Sequence, residues 1–111
     1  MPEIDIKQVL ADAIAFSKAE LGATYKKIKP YAEHEFTQFT ENAAFLAKLR
    51  LNGTIEDDEL KSRLHLQKLA LTNVLLAIKG IGIVTAEKLV NGIMGIVASA
   101  IKGAINITLP V

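Results

Sequence analysis

Apolar residues recur along this chain three, four and seven positions apart, which is the period of an amphipathic α-helix. The pattern predicts four helices, over residues 4–29, 31–51, 55–79 and 84–106. Pro30 lacks an amide hydrogen and restricts the residue before it, so we expect the first helix to end there, or to bend and fuse with the second. Asn52-Gly53 and Gly80-Ile81-Gly82 supply the other breaks. The predicted fold is all-α, one domain over residues 1–111, built as a four-helix bundle or as long helical hairpins.

The two parts of the chain differ in polarity. Residues 1–68 form an amphipathic front that carries nearly all of the acidic side chains. Residues 69–111 form an apolar, glycine-containing back, whose ionisable side chains are those of Lys79, Glu87, Lys88 and Lys102. A bundle covers about half of each helix surface, so we expect the two closing helices to leave an apolar patch larger than a monomer exposes. The sequence therefore predicts a homo-oligomer that assembles through residues 69–78 and 84–106.

The fourth predicted helix carries a stripe of small residues. Gly95, Ser99 and Gly103 recur every four positions, a series that lets another helix approach closely. Glycine inside a helix costs about 1 kcal/mol relative to alanine, so repeated glycines at contact spacing favour a packing role. The predicted oligomer interface consists of this stripe and its neighbours, which are Leu89, Gly92, Ile93, Gly95, Ile96, Ser99 and Gly103.

One local string resembles a motif of known chemistry. From Leu75 to Val90 the chain reads Leu-Leu-Ala-Ile-Lys-Gly-Ile-Gly-Ile-Val-Thr-Ala-Glu-Lys-Leu-Val, which is similar to the helix-hairpin-helix signature. That family holds a DNA phosphate on the amides of a Gly-hydrophobic-Gly turn and a helix N-terminus, without reading sequence. The resemblance implies phosphate contacts by Lys79, Gly80, Gly82, Thr85 and Lys88. It departs at Ile83 and Val84, where the family often has polar residues or proline, and a tight connection between two helices explains the same glycines.

The closing segment also suits lipid. Residues 89–101 carry no charge, but a helix of that length spans only about 20 Å, less than the hydrocarbon core of about 30 Å. Extending the segment to residue 111 gives the length and places Lys102 inside, at a cost of about 2.5–3.5 kcal/mol at the membrane centre. A short anchor, or a holin-like hairpin with residues 69–78, is the membrane alternative. A buried helix in a soluble oligomer explains the same pattern with less strain.

Composition narrows the chemistry further. The chain has no cysteine, which removes disulfides, thiolate catalysis and cysteine-based metal sites. Its formal net charge of +1 supplies no broad field for nucleic acid or anionic lipid, which disfavours the DNA alternative. His34 and His65 lack the Glu-x-x-His spacing of di-iron bundles, and the sequence holds no phosphate-binding loop and no nucleophile elbow. We expect no enzyme activity, cofactor, metal or small-molecule substrate.

The start of the chain, Met1 to Asp5, lacks the basic and apolar regions of a signal peptide. We therefore expect a cytoplasmic protein, with inner-membrane association or a place in a larger particle as the alternative. In general appearance the chain resembles small bacterial or phage-encoded helical proteins with glycine-containing aliphatic tails, a resemblance that carries over no residue. The function predicted from the sequence is that of a non-enzymatic structural or assembly subunit.

Overall fold

The computed structural model describes residues 4–105. Within that range the chain is all-helical and contains no strand, which confirms the predicted class. The four helices are α1 (Ile6–Leu21), α2 (Tyr25–Leu51), α3 (Asp57–Leu76) and α4 (Ile83–Ile105), and a short 3-10 turn (Gly22–Thr24) joins α1 to α2. The predicted end of the last helix, at residue 106, lies outside the described residues.

The first helix ends at a glycine rather than at the proline. Gly22 has a φ of 55°, in the left-handed region that favours glycine, and its amide donates to the carbonyl of Lys18. Pro30, where the sequence predicts an end or a bend, lies inside α2, and the helix continues through it. Ile28 and Ala32 are buried on either side of the proline, so packing holds this part of α2 although one amide hydrogen bond is missing.

The connection from α2 to α3 closes on itself. Gly53 has a φ of 78°, and its amide donates to the carbonyl of Arg50 at 3.1 Å. The Arg50 side chain forms an ion pair with Asp57, the first residue of α3, and that hydrogen bond raises the pKa of the guanidinium. Glu56 occupies the cap position of α3, and its side chain makes no capping hydrogen bond. The turn is therefore held by the backbone of α2 and by one ion pair.

One apolar core lies between the helices. α2 is the longest helix and contacts α1, α3 and α4, whereas α1 and α3 do not touch each other within the described residues. The two helices that do not touch therefore lie at opposite corners, in an arrangement that resembles a helix bundle. The largest fully buried apolar side chains come from three of the helices and are Ile28, Phe36, Leu60, Leu64, Leu75, Leu89, Val90, Ile93, Val97 and Ile101.

Candidate functional site

α4 is covered by its own chain to a greater extent than the sequence suggests. Two residues of the predicted oligomer interface, Leu89 and Ile93, are 1% and 0% exposed and belong to the core. Their side chains are therefore covered by their own chain, and contacts of these two residues with a second copy stay a prediction. The buried residues of α4 are Ala86, Leu89, Val90, Ile93, Met94, Val97, Ala98 and Ile101.

Gly92 lies in a contact within the chain. The ring of Phe16, on α1, occupies the space beside Gly92 that a Cβ atom would need. A second link between the same two helices is the ion pair between Lys88 Nζ and Glu20 Oε2, at 3.3 Å. α1 therefore packs closely against α4 at Gly92, just before the small-residue stripe of Gly95, Ser99 and Gly103.

The rest of the stripe borders a groove between α1 and α4. Ser99 and Gly103 are exposed and line a cavity of about 540 Å³. Ile96, Gln8 of α1 and Asp5, which caps α1, also line it. Gly95 is half-buried, as is Ile96. α1 occupies one side of this groove, and contacts of Gly95, Ile96, Ser99 and Gly103 with a second copy stay a prediction.

α3 presents leucines to solvent on its outer side. Leu66, Leu69 and Leu76 are 62%, 46% and 37% exposed. With the exposed Asn73 between them, they are spaced three, four and three residues apart and form one stripe along the helix. We call Leu66, Leu69, Asn73 and Leu76 the leucine face.

The opposite side of α3 is apolar as well and faces the core, through the buried residues Leu60, Leu64, Leu71 and Leu75. The sequence analysis included Leu69 and Leu76 in the predicted assembly segment, residues 69–78, but did not include Leu66. The 3-4-3 spacing was the signal that could have identified the leucine face. α3 therefore has one apolar side covered by its own chain and one that is not.

Charges of opposite sign lie beyond the two ends of the leucine face. The first turn of α3 is acidic, and both Asp58 and Glu59 are exposed. Glu59 Oε2 accepts a hydrogen bond from Arg63 Nε at 2.7 Å. After the last turn comes Lys79, which is exposed and forms no ion pair with any described residue. The helix is thus negative where it begins and positive just past its end.

The turn from α3 to α4 has the backbone that its glycines suggest. Gly80 has a φ of 92°, and the amide of Ile81 donates to the carbonyl of Ile78 at 3.2 Å. The amide of Ala86 donates to the carbonyl of Gly82 at 2.9 Å, and Ala86 is fully buried. Ile81 is buried too. The Gly-hydrophobic-Gly string therefore forms a compact turn between two packed helices.

Lys79 and Lys88, which the resemblance implies as phosphate contacts, do not lie in one cluster. The side chain of Lys27, on α2, fills the space beside Gly80 that a Cβ atom would need, and with Lys79 and the exposed Tyr31 it lines a cavity of about 520 Å³. Lys88 is instead paired with Glu20. The sequence analysis missed Lys27 as a cation at this turn, because Lys27 lies on α2, about fifty residues before Gly80 in the chain.

Thr85, which the resemblance also implies, is half-buried at the start of α4, and Gly82 is exposed. Ile83 and Val84 are exposed at the first turn of α4, Val84 by 76%. The helix N-terminus is therefore open to solvent but flanked by apolar side chains, where the family often has polar ones.

An apolar groove lies at the end of the molecule away from the turn at Gly80. Phe45 and Leu51 of α2 are exposed and line a groove of about 480 Å³ with Ile6 of α1 and Ile105 of α4. We call this the end groove. Lys48 and Glu41 are the charged residues of its lining.

The described residues also bear on lipid contact and on metal binding. α4 is long and apolar enough to cross a membrane, by length and composition alone, and buried core helices of soluble proteins meet the same condition. Among residues 4–105 no group of three His, Cys, Asp or Glu side chains is placed to hold a metal ion. His34 and His65 are both exposed.

No protein-family model matches this chain, and neither a curated protein nor a solved structure matches it. The candidate functional surfaces of the described residues are the leucine face of α3, the turn at Gly80 and the end groove.

Proposed function

We propose that this chain is a non-enzymatic structural subunit that self-associates through apolar surface left uncovered on its C-terminal half. The observation that supports this is the leucine face. Exposed leucines scattered singly are ordinary on a protein surface, but these lie on one stripe that extends about 15 Å along α3. Full burial of one leucine side chain is worth about 1.5–3 kcal/mol. These three leucines are 37–62% exposed, so covering them provides about half of that amount for each and favours association.

The proposed contact lies mainly on α3, whereas the sequence alone predicted a contact shared by residues 69–78 and 84–106. Much of the apolar surface of α4 is covered by α1, α2 and α3, so α4 contributes mainly its exposed first turn, at Ile83 and Val84. α3 becomes the main contact element, because its outer side has no cover among the described residues.

Sedimentation velocity of the purified protein in detergent-free buffer tests self-association. We expect a species heavier than the 12.0 kDa chain, with a population that rises with concentration. Replacing both Leu66 and Leu69 with Lys should return the protein to the monomer, because two charges would have to be buried in the contact. Leu51→Lys, in the end groove, is the matched control and should leave the mass unchanged.

The outcomes separate the alternatives. A wild-type protein that stays monomeric across the micromolar range would overturn the proposal. Loss of the oligomer in Leu51→Lys but not in the double lysine variant would move the contact to the end groove. Protein that pellets with vesicles and needs detergent to stay in solution would favour the membrane alternative instead.

A second candidate function, sequence-independent DNA binding, is favoured by the turn at Gly80. Its left-handed glycine, its buried Ile81 and the open N-terminus of α4 form a backbone that can present amides to a phosphate. Lys27 and Lys79 lie beside it. Against it stand the exposed apolar Ile83 and Val84 and a net charge of only +1, so we rank it below self-association.

Fluorescence anisotropy with a labelled duplex at low salt tests this candidate. Binding should weaken as salt is raised, because phosphate contacts release counterions. Lys27→Glu and Lys79→Glu should each reduce affinity, whereas Lys102→Glu, an equally exposed charge reversal near the other end of α4, should have little effect. No binding at low salt, or equal loss in all three variants, would remove the candidate.

A further inference from the structure

The leucine face has the spacing of a coiled-coil seam. Leu66, Leu69, Asn73 and Leu76 follow one another at intervals of three, four and three, as the a and d positions of a heptad do. The same intervals continue toward the start of α3 through the exposed Ser62 and Glu59. The seam therefore extends over nearly the whole outer side of the helix, with Leu66 and Leu69 in its middle. Glu59 and Ser62 come before them, and Asn73 and then Leu76 come after them.

We infer that the leucine face is one half of a symmetric, antiparallel contact with a second copy of this chain, in which Leu66 of each copy packs against Leu69 of the other. The inference rests on the proposed function and names its partner and geometry. In this register each Asn73 lies opposite Ser62 of the second copy, and Lys79 reaches the level of the acidic first turn, residues 56–59. The contact is the same for both copies, as a two-fold interface requires.

The charges at the ends of α3 select the antiparallel orientation. A parallel pair would bury Leu66 and Leu69 equally well, but it would place Glu59 beside the same residue of the second copy and Lys79 beside its counterpart. The antiparallel pair instead brings the positive end of each helix to Asp58 and Glu59 of the other, and it also opposes the two helix dipoles. Like charges in contact disfavour an arrangement, and complementary charges fix orientation and register.

Residue types match at the centre of the antiparallel register and at its ends, but not at the layer between. Leu66 meets Leu69 and Asn73 meets Ser62, whereas Leu76 lies opposite Glu59. Beyond that layer, Lys79 reaches the level of Glu56. The opposite charges at the two ends of this one helix favour a second copy as the occupant, because two antiparallel copies bring each Lys79 to the acidic first turn of the other.

Cysteine cross-linking tests the orientation directly, since the chain has no cysteine of its own. Ser62 and Asn73 are exposed, so Ser62→Cys and Asn73→Cys should fold as the parent does. Disulfides form when the two Cα atoms are about 4.4–6.8 Å apart. In the antiparallel register the positions meet each other, whereas two Asn73 positions lie about 16 Å apart along the seam.

We expect the mixture of the two variants to form a mixed disulfide dimer under mild oxidation, and each variant alone to remain uncross-linked. Disulfide dimers of each variant alone would show a parallel pair and overturn the inference. An oligomer by sedimentation with no cross-link in any sample would also overturn it, while the proposed function would survive with another contact surface. A monomer would overturn both.

Charge reversal gives an independent readout of the same contact. Lys79→Glu should weaken the dimer by about two- to tenfold, which is the range expected for exposed ion pairs that occur twice. Asp58→Lys should do the same, and the double variant should recover most of the affinity because the pair is restored in reverse. Lys61→Glu, on α3 but away from the leucine face, is the control. Additive weakening in the double variant would contradict the antiparallel register.

Discussion

The ring of Phe16 on α1 lies directly against Gly92 on α4, in the space that a Cβ atom on that residue would occupy. The contact joins the first and last helices of the described chain, beside the ion pair of Lys88 with Glu20. Gly92 therefore serves packing within one chain, whereas its sequence neighbours suggest packing between chains. Its lack of a side chain is what allows an aromatic ring to reach the backbone of α4.

Replacing Gly92 with Ala should destabilise the protein. The added methyl group displaces the Phe16 ring, and overpacking of this kind costs about 1–3 kcal/mol. Alanine returns up to about 1 kcal/mol through its better helix propensity, so we expect the free energy of unfolding to fall by about 1 kcal/mol, measured by urea denaturation.

Gly103→Ala is the control for this prediction, because Gly103 lies in the same helix with open space around its Cα. There the helix propensity alone acts, and the free energy of unfolding should rise by about 0.5–1 kcal/mol. In a Phe16→Ala background the cost of Gly92→Ala should disappear, which makes the two substitutions non-additive. Equal effects of Gly92→Ala and Gly103→Ala would contradict the contact.

The sequence predicted the helices better than it predicted which residues cover them. The period of three and four located four helices, and the breaks at Asn52-Gly53 and Gly80-Ile81-Gly82 were predicted correctly. Gly53 and Gly80 have positive φ angles in the structure. The first break was misplaced at Pro30, because a proline can be held inside a helix by buried neighbours while Gly22 ends one by its backbone. Rules based on local sequence cannot tell which of Gly22 and Pro30 ends the helix, because tertiary packing decides it.

The candidate surface was predictable only in part, for a physical reason. α3 has leucines on both sides, so its period shows two apolar stripes without showing which one meets the core. The same limitation applies to α4, where the sequence showed that Leu89 and Ile93 must be buried but not that their own chain buries them. The contact between Lys27 and Gly80 could not be predicted from the sequence, since no local pattern links α2 to that turn.

Gly80→Ala should destabilise the turn between α3 and α4. A φ of 92° is strained for any residue with a Cβ atom, and the left-handed conformation costs about 1–2 kcal/mol. The new methyl group would also displace the Lys27 side chain. Gly82→Ala is the comparison, because open space surrounds Gly82 and its φ is not positive. Thermal unfolding should show a clear loss for the first and little change for the second, and equal losses would argue against this turn geometry.

Tyr25 should make stability depend on alkaline pH. Burial raises the pKa of its phenol above the ordinary value of 10.0, and the negative charge of Glu33 raises it further. Because the folded protein disfavours the phenolate, this contribution to stability is complete below about pH 10 and is lost as the pH rises through the raised pKa. The chain has two tyrosines, so ultraviolet titration of the Tyr31→Phe variant reports Tyr25 alone. A midpoint at or below 10.0 would contradict the prediction.

Two buried hydroxyl groups should respond in opposite directions to their removal. Thr40 is 1% exposed, and its Oγ1 atom has no hydrogen-bond partner among the described residues. Replacing Thr40 with Val keeps the shape and removes an unsatisfied polar group, so the free energy of unfolding should rise by about 1 kcal/mol. Ser17 is equally buried, but its hydroxyl donates to the carbonyl of Ala13 at 2.8 Å, and Ser17→Ala should lower the free energy of unfolding. Urea denaturation of both variants measures the difference. A loss in Thr40→Val would mean that its hydroxyl is satisfied, because only a bonded buried hydroxyl stabilises the fold.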